Sequence, residues 1–264
     1  MQFSTPIEIQ TPAWQIEPCS RLLFAGSCFA DSIGRKFSEM YFTTEVNPYG
    51  TMYNPASVCH TVARTSFVAD IVFITLGTNH IYRLRETGEI VDNCEKRPQN
   101  LFREEELSVV QCLDWLEQTR ALLLKSNPGV KMVVTVSPIR YAKYGFHGSR
   151  LSKAVLLLAA DTFVKGHPED CWYFPAYEIV MDELRDYRFY APDMIHPSPQ
   201  AVDYIWERLG DTLFSPQTHR YLTEFRPVHA ALCHRFFDPE APASIAFREE
   251  TELRLAEFLA KWRQ

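Results

Sequence analysis

Asp193 and His196 stand three residues apart in a segment rich in turn residues. A carboxylate so placed can reach the imidazole Nδ1–H. That bond sets the tautomer and leaves Nε2 free to take a proton from a hydroxyl. A base of this kind needs a nucleophile, and Ser27 is its natural partner. Ser27 follows the apolar run Leu22-Leu23-Phe24-Ala25 and Gly26, where a strand gives way to a helix. Serine is also a preferred helix N-cap, so this position admits both readings. An acyl-transfer centre further needs donors aimed at the oxyanion. The N–H groups of Ser27 and Gly50 and the amide of Asn79 can supply them. Gly50 and Asn79 are equally at home as turn residues. Asp193 and His196 likewise suit a helix entry, since Pro197 and Ser198 follow.

Other chemistry-bearing residues are fewer. Cys28, beside Ser27, is either a thiol activated at a helix N-terminus or a small hydrophobe against the sheet; the second reading is preferred. His80, Arg140 and His147 fall on expected loops and can bind a substrate carboxylate, phosphate or sugar, or serve the structure alone. No histidine or cysteine cluster has metal-ligand spacing, and no glycine-rich phosphate loop follows a strand. Neither a metal nor another cofactor is expected.

The elements that would position these residues are legible as apolar runs. Residues 22–26, 69–76, 131–137 and 171–174 read as buried strands, closed by Gly26, Gly77 and Pro138 where functional loops belong. Helices are expected at 30–41, 55–65, 104–125, 152–164, 177–184 and 200–213, with Glu104, Glu105 and Glu106 in the first turn of the third. Residues 81–92 suggest a hairpin about Thr87-Gly88, and residues 1–20 an extended polar lead. The alternation of strand and helix predicts a doubly wound parallel sheet. Residues 1–213 would form this α/β domain, with a core at about 20–213. Residues 214–264 would form a helical extension that packs on it or supports self-association into a homo-oligomer.

Composition narrows the partners. The 264 residues are 46% hydrophobic and 23% charged, with a net charge of -6. That balance argues against a nucleic-acid surface or an anionic membrane. No run approaches membrane-spanning length, and the first residues lack a signal-peptide core. Seven cysteines without a Cys-x-x-Cys pair fit reduced thiols in a cytoplasmic protein.

Gly26-Ser27-Cys28-Phe29-Ala30 reproduces the motif that names the GSCFA family, which the chain resembles from about residue 20 to 210. The segments 47–51, 137–140, 147–148, 151–154 and 182–193 are also similar to that family. The family in turn resembles the SGNH (GDSL-like) hydrolases, in which a serine, an oxyanion glycine and asparagine, and Asp-x-x-His occur in this order. The resemblance implies a flavodoxin-like α/β/α sandwich and an ester hydrolase with Ser27 as nucleophile. Gly50 and Asn79 would then be oxyanion donors, and Asp193 and His196 would complete the triad. It further implies acetyl or other short acyl esters of a carbohydrate as substrates. An acyltransferase to a sugar hydroxyl and a non-catalytic carbohydrate-binding module are the alternatives. Two departures are visible: Gly-Ser-Cys stands for Gly-Asp-Ser, and His80 follows Asn79 where many relatives carry aspartate.

Overall fold

The structure is a computed structural model describing residues 4–92, 94 and 97–262, so the first three residues of the extended lead lie outside it. Its centre is a five-stranded parallel sheet in the order β2-β1-β3-β7-β8, comprising β1 (Arg21–Gly26), β2 (Thr43–Val46), β3 (Ile71–Leu76), β7 (Lys131–Val136) and β8 (Cys171–Tyr173). Alternate side chains of each strand point to opposite faces. Leu22, Phe24, Ile71, Phe73 and Val133 join one core, while Leu23, Ala25, Val72, Ile74, Met132 and Val134 join the other. Helices α1 (Cys28–Glu39) and α6 (Pro199–Leu213) cover the first face. Helices α2 (Pro55–Arg64), α3 (Val109–Ser126) and α4 (Gly145–Gly166) cover the second. Burial on both faces is why these strands carry no polar side.

Between β3 and α3 the chain builds a small antiparallel sheet, β5-β4-β6, from β4 (His80–Leu84), β5 (Ile90–Val91) and β6 (Phe102–Glu106). The expected hairpin is therefore present, but Glu104–Glu106 form its third strand rather than the first turn of a helix. Pairing with β4, which sets His80 opposite Glu106 and Tyr82 opposite Glu104, and ion pairs to other elements explain the difference. Glu105 meets Arg83 at 2.9 Å, and Glu104 meets Lys143 at 3.0 Å. The helix begins only after Ser108, whose side chain forms a reciprocal capping box with Gln111.

Helix α4 starts at Gly145, seven residues before the expected 152. Its inward positions Ser149, Ser152 and Lys153 are polar, which hides the apolar period there. His147 consequently sits on a helix and not in a loop. After β8, α5 (Ala176–Glu178) runs into a π-helical segment, Ile179–Leu184, that ends on Arg185 at φ +37°. Two more helices, α7 (Pro216–Leu232) and α8 (Pro242–Trp262), follow α6, and their Tyr221, Phe225 and Phe258 enter the first core. Ile16 bridges Phe214, and its carbonyl accepts from Ser215 N–H at 3.1 Å and Thr218 Oγ1 at 2.6 Å. Among the described residues no helix is long and apolar enough to cross a membrane.

Candidate active site

The turn between β1 and α1 is closed by hydrogen bonds on every side. Gly26 has φ +141°, and a Cβ there would lie 2.2 Å from the Thr75 carbonyl oxygen; only glycine fits. Its N–H donates to Asn47 Oδ1 at 2.9 Å, and the Ser27 N–H donates to Thr75 O at 3.0 Å. Ser27 Oγ accepts from Phe29 N–H at 3.3 Å and lies 3.2 Å from Thr75 Oγ1. Ser27 is wholly inaccessible. It caps α1, as one of its two readings proposed.

Cys28, the first residue of α1, is partly exposed. Its sulfur lies 3.9 Å from the Tyr53 hydroxyl. Burial, helped by Asp31, pushes this thiol above its ordinary pKa, whereas the Tyr53 hydroxyl and the residue's own backbone favour the thiolate.

The neighbouring strand ends are braced in the same way. Asn47, at φ +41°, donates its amide to Asp31 at 2.8 Å, and Thr51 donates to the other oxygen of that carboxylate at 3.2 Å. The Gly50 N–H closes a turn on Asn47 O at 2.8 Å. Gly77 and Thr78 both donate to Tyr53 O, at 2.8 and 2.7 Å. A Cβ on Gly77 would fall 2.4 Å from the Tyr141 hydroxyl. Asn79 Nδ2 donates to Leu107 O at 2.7 Å, and its Oδ1 is buried with no partner among the described residues. Of the three expected oxyanion donors, the Ser27 and Gly50 N–H groups are therefore engaged by protein carbonyls. The Asn79 amide retains one hydrogen.

The Asp193–His196 loop is a self-contained unit. His196 Nδ1 lies 2.6 Å from Asp193 Oδ2, while Asp193 Oδ1 accepts from the N–H groups of Ile195 and His196 at 2.9 and 3.0 Å. These bonds hold the Asp193 carboxyl down at about 2. With Nδ1–H directed at a carboxylate, the neutral imidazole carries its lone pair on Nε2. That atom has no partner among the described residues, and no hydrogen bond joins it to Ser27. Arg140 anchors the loop, its N–H donating to Ile195 O and its guanidinium to Met194 O, both at 3.0 Å.

His80 is buried, stacks on Tyr144 at 3.6 Å and lies 3.7 Å from Glu104, with its pKa lowered chiefly by burial. It belongs to the join between the small sheet and the 142–144 turn. His147 is exposed and makes no polar contact among the described residues. Sequence reasoning missed Asp31, Thr75, Tyr53, Tyr141 and Lys153. Lys153 is buried and donates to Gly77 O and Ser137 O, both at 2.7 Å. Burial lowers its pKa to about 7. Its signal was a charged residue on an inward stripe with Ser149, Leu156 and Ala160.

These observations define a doubly wound α/β protein with an Asp-x-x-His pair beside the C-terminal ends of its parallel strands, the place where such sheets bind ligands. The GSCFA family matches residues 21–67 and 62–209, and the chain belongs to that family. No curated protein matches it significantly. Similar solved structures include a carbohydrate esterase family 3 protein from Talaromyces cellulolyticus, at 10% identity and TM-score 0.47 over 78% of this chain and 99% of the other. A catalytic mutant of Axe2, an acetylxylan esterase from Geobacillus stearothermophilus, matches at 12% identity and TM-score 0.48 over 76% and 97%. A family two carbohydrate esterase from Clostridium thermocellum, in complex with cellohexaose, matches at 9% identity and TM-score 0.43 over 76% and 64%.

Proposed function

We propose that the chain is an ester hydrolase of the SGNH type working through an acyl-enzyme on acetyl or other short acyl esters of a carbohydrate. The observation that carries this reading is the Asp193–His196 pair, with Nδ1 committed to the carboxylate at 2.6 Å and Nε2 open to a substrate. His196 Nε2 takes the proton of the nucleophile, which adds to the ester carbonyl carbon. The tetrahedral intermediate collapses as the carbonyl–oxygen bond to the alcohol breaks, and that oxygen leaves with the proton from His196. Water then repeats the sequence, releasing the acid and restoring the nucleophile.

Sequence order assigns the nucleophile to Ser27; with the Ser27 and Gly50 N–H groups bonded to carbonyls, the remaining hydrogen of the Asn79 amide is left to serve the oxyanion. Burial favours a second reading. Ser27 is inaccessible and bonded to Thr75, whereas Cys28 is partly exposed and heads the helix. The partial positive charge of the helix N-terminus would offset part of the burial that holds this thiol above its ordinary pKa, and His196 would take its proton.

Turnover of p-nitrophenyl acetate and of an acetylated xyloside separates the cases. If Cys28 is the nucleophile, Cys28→Ala abolishes hydrolysis, while Ser27→Ala keeps turnover and lowers the melting temperature. If Ser27 is the nucleophile, Ser27→Ala is inert although folded and Cys28→Ala remains active. Wild-type protein inert towards both esters would sink the hydrolase reading.

A further inference from the structure

A cleft of about 550 Å³ is joined to the His196 loop through Arg140 and is used by none of the other residues considered for the chemistry. Arg140, Arg150 and Arg185 stand in its wall with Tyr177, Tyr187 and Tyr190. We propose that this cleft binds the alcohol portion of the substrate and that this portion carries an anionic group, a carboxylate or a phosphate, beside its sugar ring. The proposal rests on the ester-hydrolase reading only in calling the ligand a substrate.

The cleft carries a net positive charge, three arginines against two aspartates. None of the three guanidinium groups takes part in an ion pair among the described residues. Two carboxylates share the wall, Asp182 and Asp186, and Asp186 already accepts from the Arg188 N–H at 2.8 Å. Arg140 is held without being neutralised. Its guanidinium lies 3.9 Å from the Phe146 ring centre and 5.3 Å from that of Tyr190, and it donates to Met194 O. An arginine fixed by aromatic faces and a backbone carbonyl keeps further N–H donors for a planar or tetrahedral anion, with little ordering left to pay for. The tyrosine rings add flat faces against which a sugar ring can lie. A concave site with a few convergent polar groups on aromatic walls is the usual form of a small-molecule pocket.

The backbone under this wall is unusual too. The π-helical segment Ile179–Leu184 supplies Val180, Met181 and Asp182 to the cleft, and Arg185 is held at φ +37°. π-Helical turns and left-handed non-glycine residues concentrate at functional sites. Position ties the cleft to the chemistry. Arg140 is bonded to the His196 loop through both its backbone and its side chain. Its neighbour Tyr141 packs edge-on to Tyr53, which touches Cys28. An acid group at Arg140 would thus hold a ring between the base and the β1–α1 turn.

Calorimetric titration with glucuronate, glucose 6-phosphate and glucose tests the site without requiring turnover. At least one acid should bind, and it should bind on the order of tenfold or more tightly than glucose, as expected for one charged hydrogen-bonded pair. The preferred acid distinguishes carboxylate from phosphate. Arg150→Met and Arg185→Met, both at exposed positions, should each weaken that binding about tenfold while leaving the melting temperature in place. Acid binding no tighter than that of glucose, or unchanged in both variants, overturns the proposal. Acid binding by a protein inert to every ester would remove the hydrolase reading and leave the site; turnover of a neutral acetyl sugar without acid binding would do the reverse.

Discussion

The β1–α1 turn and the Asp193–His196 loop are the two halves of one candidate site, built on opposite principles. The turn is buried, and its Gly26 and Ser27 are held by Asn47 and by Thr75 of β3. Its shape is a product of the whole core. The loop is exposed and makes its key bonds within four residues. Its shape is local. A substitution in the turn should therefore be felt in stability, in addition to any loss of the nucleophile, and one in the loop in activity alone.

His196→Ala is the sharpest test of that division. Loss of a positioned base should reduce ester turnover by about 10²–10⁴-fold with no change in the denaturation midpoint. A midpoint that falls with activity would show the loop to be structural. Gly26→Ala probes the other half. The left-handed backbone alone should cost on the order of 1–3 kcal/mol, and contact with the Thr75 carbonyl adds to it. Chemical denaturation should report the loss, and an unchanged midpoint would mean the turn can relax.

A third test is a pH slope from Lys153, which braces the loops after β3 and β7 through Gly77 O and Ser137 O. Burial holds its folded pKa at about 7 against the ordinary lysine value of 10.5. Between those values the unfolded chain binds more protons, so this group adds stability as pH rises from about 7 to about 10. Wild type should gain on Lys153→Met across that window in urea midpoints. Parallel curves would assign the lysine no such role.

Much of this was legible in the residues. Runs such as Val72–Leu76 and Met132–Val136 have no polar face, which marks strands covered on both sides, and each ends where a site residue stands. The Asp193–His196 spacing announced its own hydrogen bond because that contact is local. What stayed hidden depends on direction and closure. Whether Ser27 or Cys28 faces solvent turns on a single step of backbone rotation at the helix entry. Whether the Gly50 N–H is free depends on a turn that closes onto Asn47. Glu104–Glu106 carry the charge pattern of a helix start, and only the distant ladder with β4, with the ion pairs to Arg83 and Lys143, makes them a strand. Lys153 was overlooked because a lysine on an inward stripe contradicts the apolar periodicity by which such stripes are found.

Ile16 and its partners near Phe214 set a timetable for synthesis. The Ile16 carbonyl is claimed by Thr218, 202 positions further along the chain. At about 5–20 residues per second, roughly 10–40 s separate the two as they emerge from a ribosome. Throughout that interval β1 can pair with β2 and β3 while the residues before it wait for α7. The last helices should accordingly dock late in synthesis, and hydrogen exchange on ribosome-arrested chains that end before Thr218 should find Phe24 and Phe73 already protected.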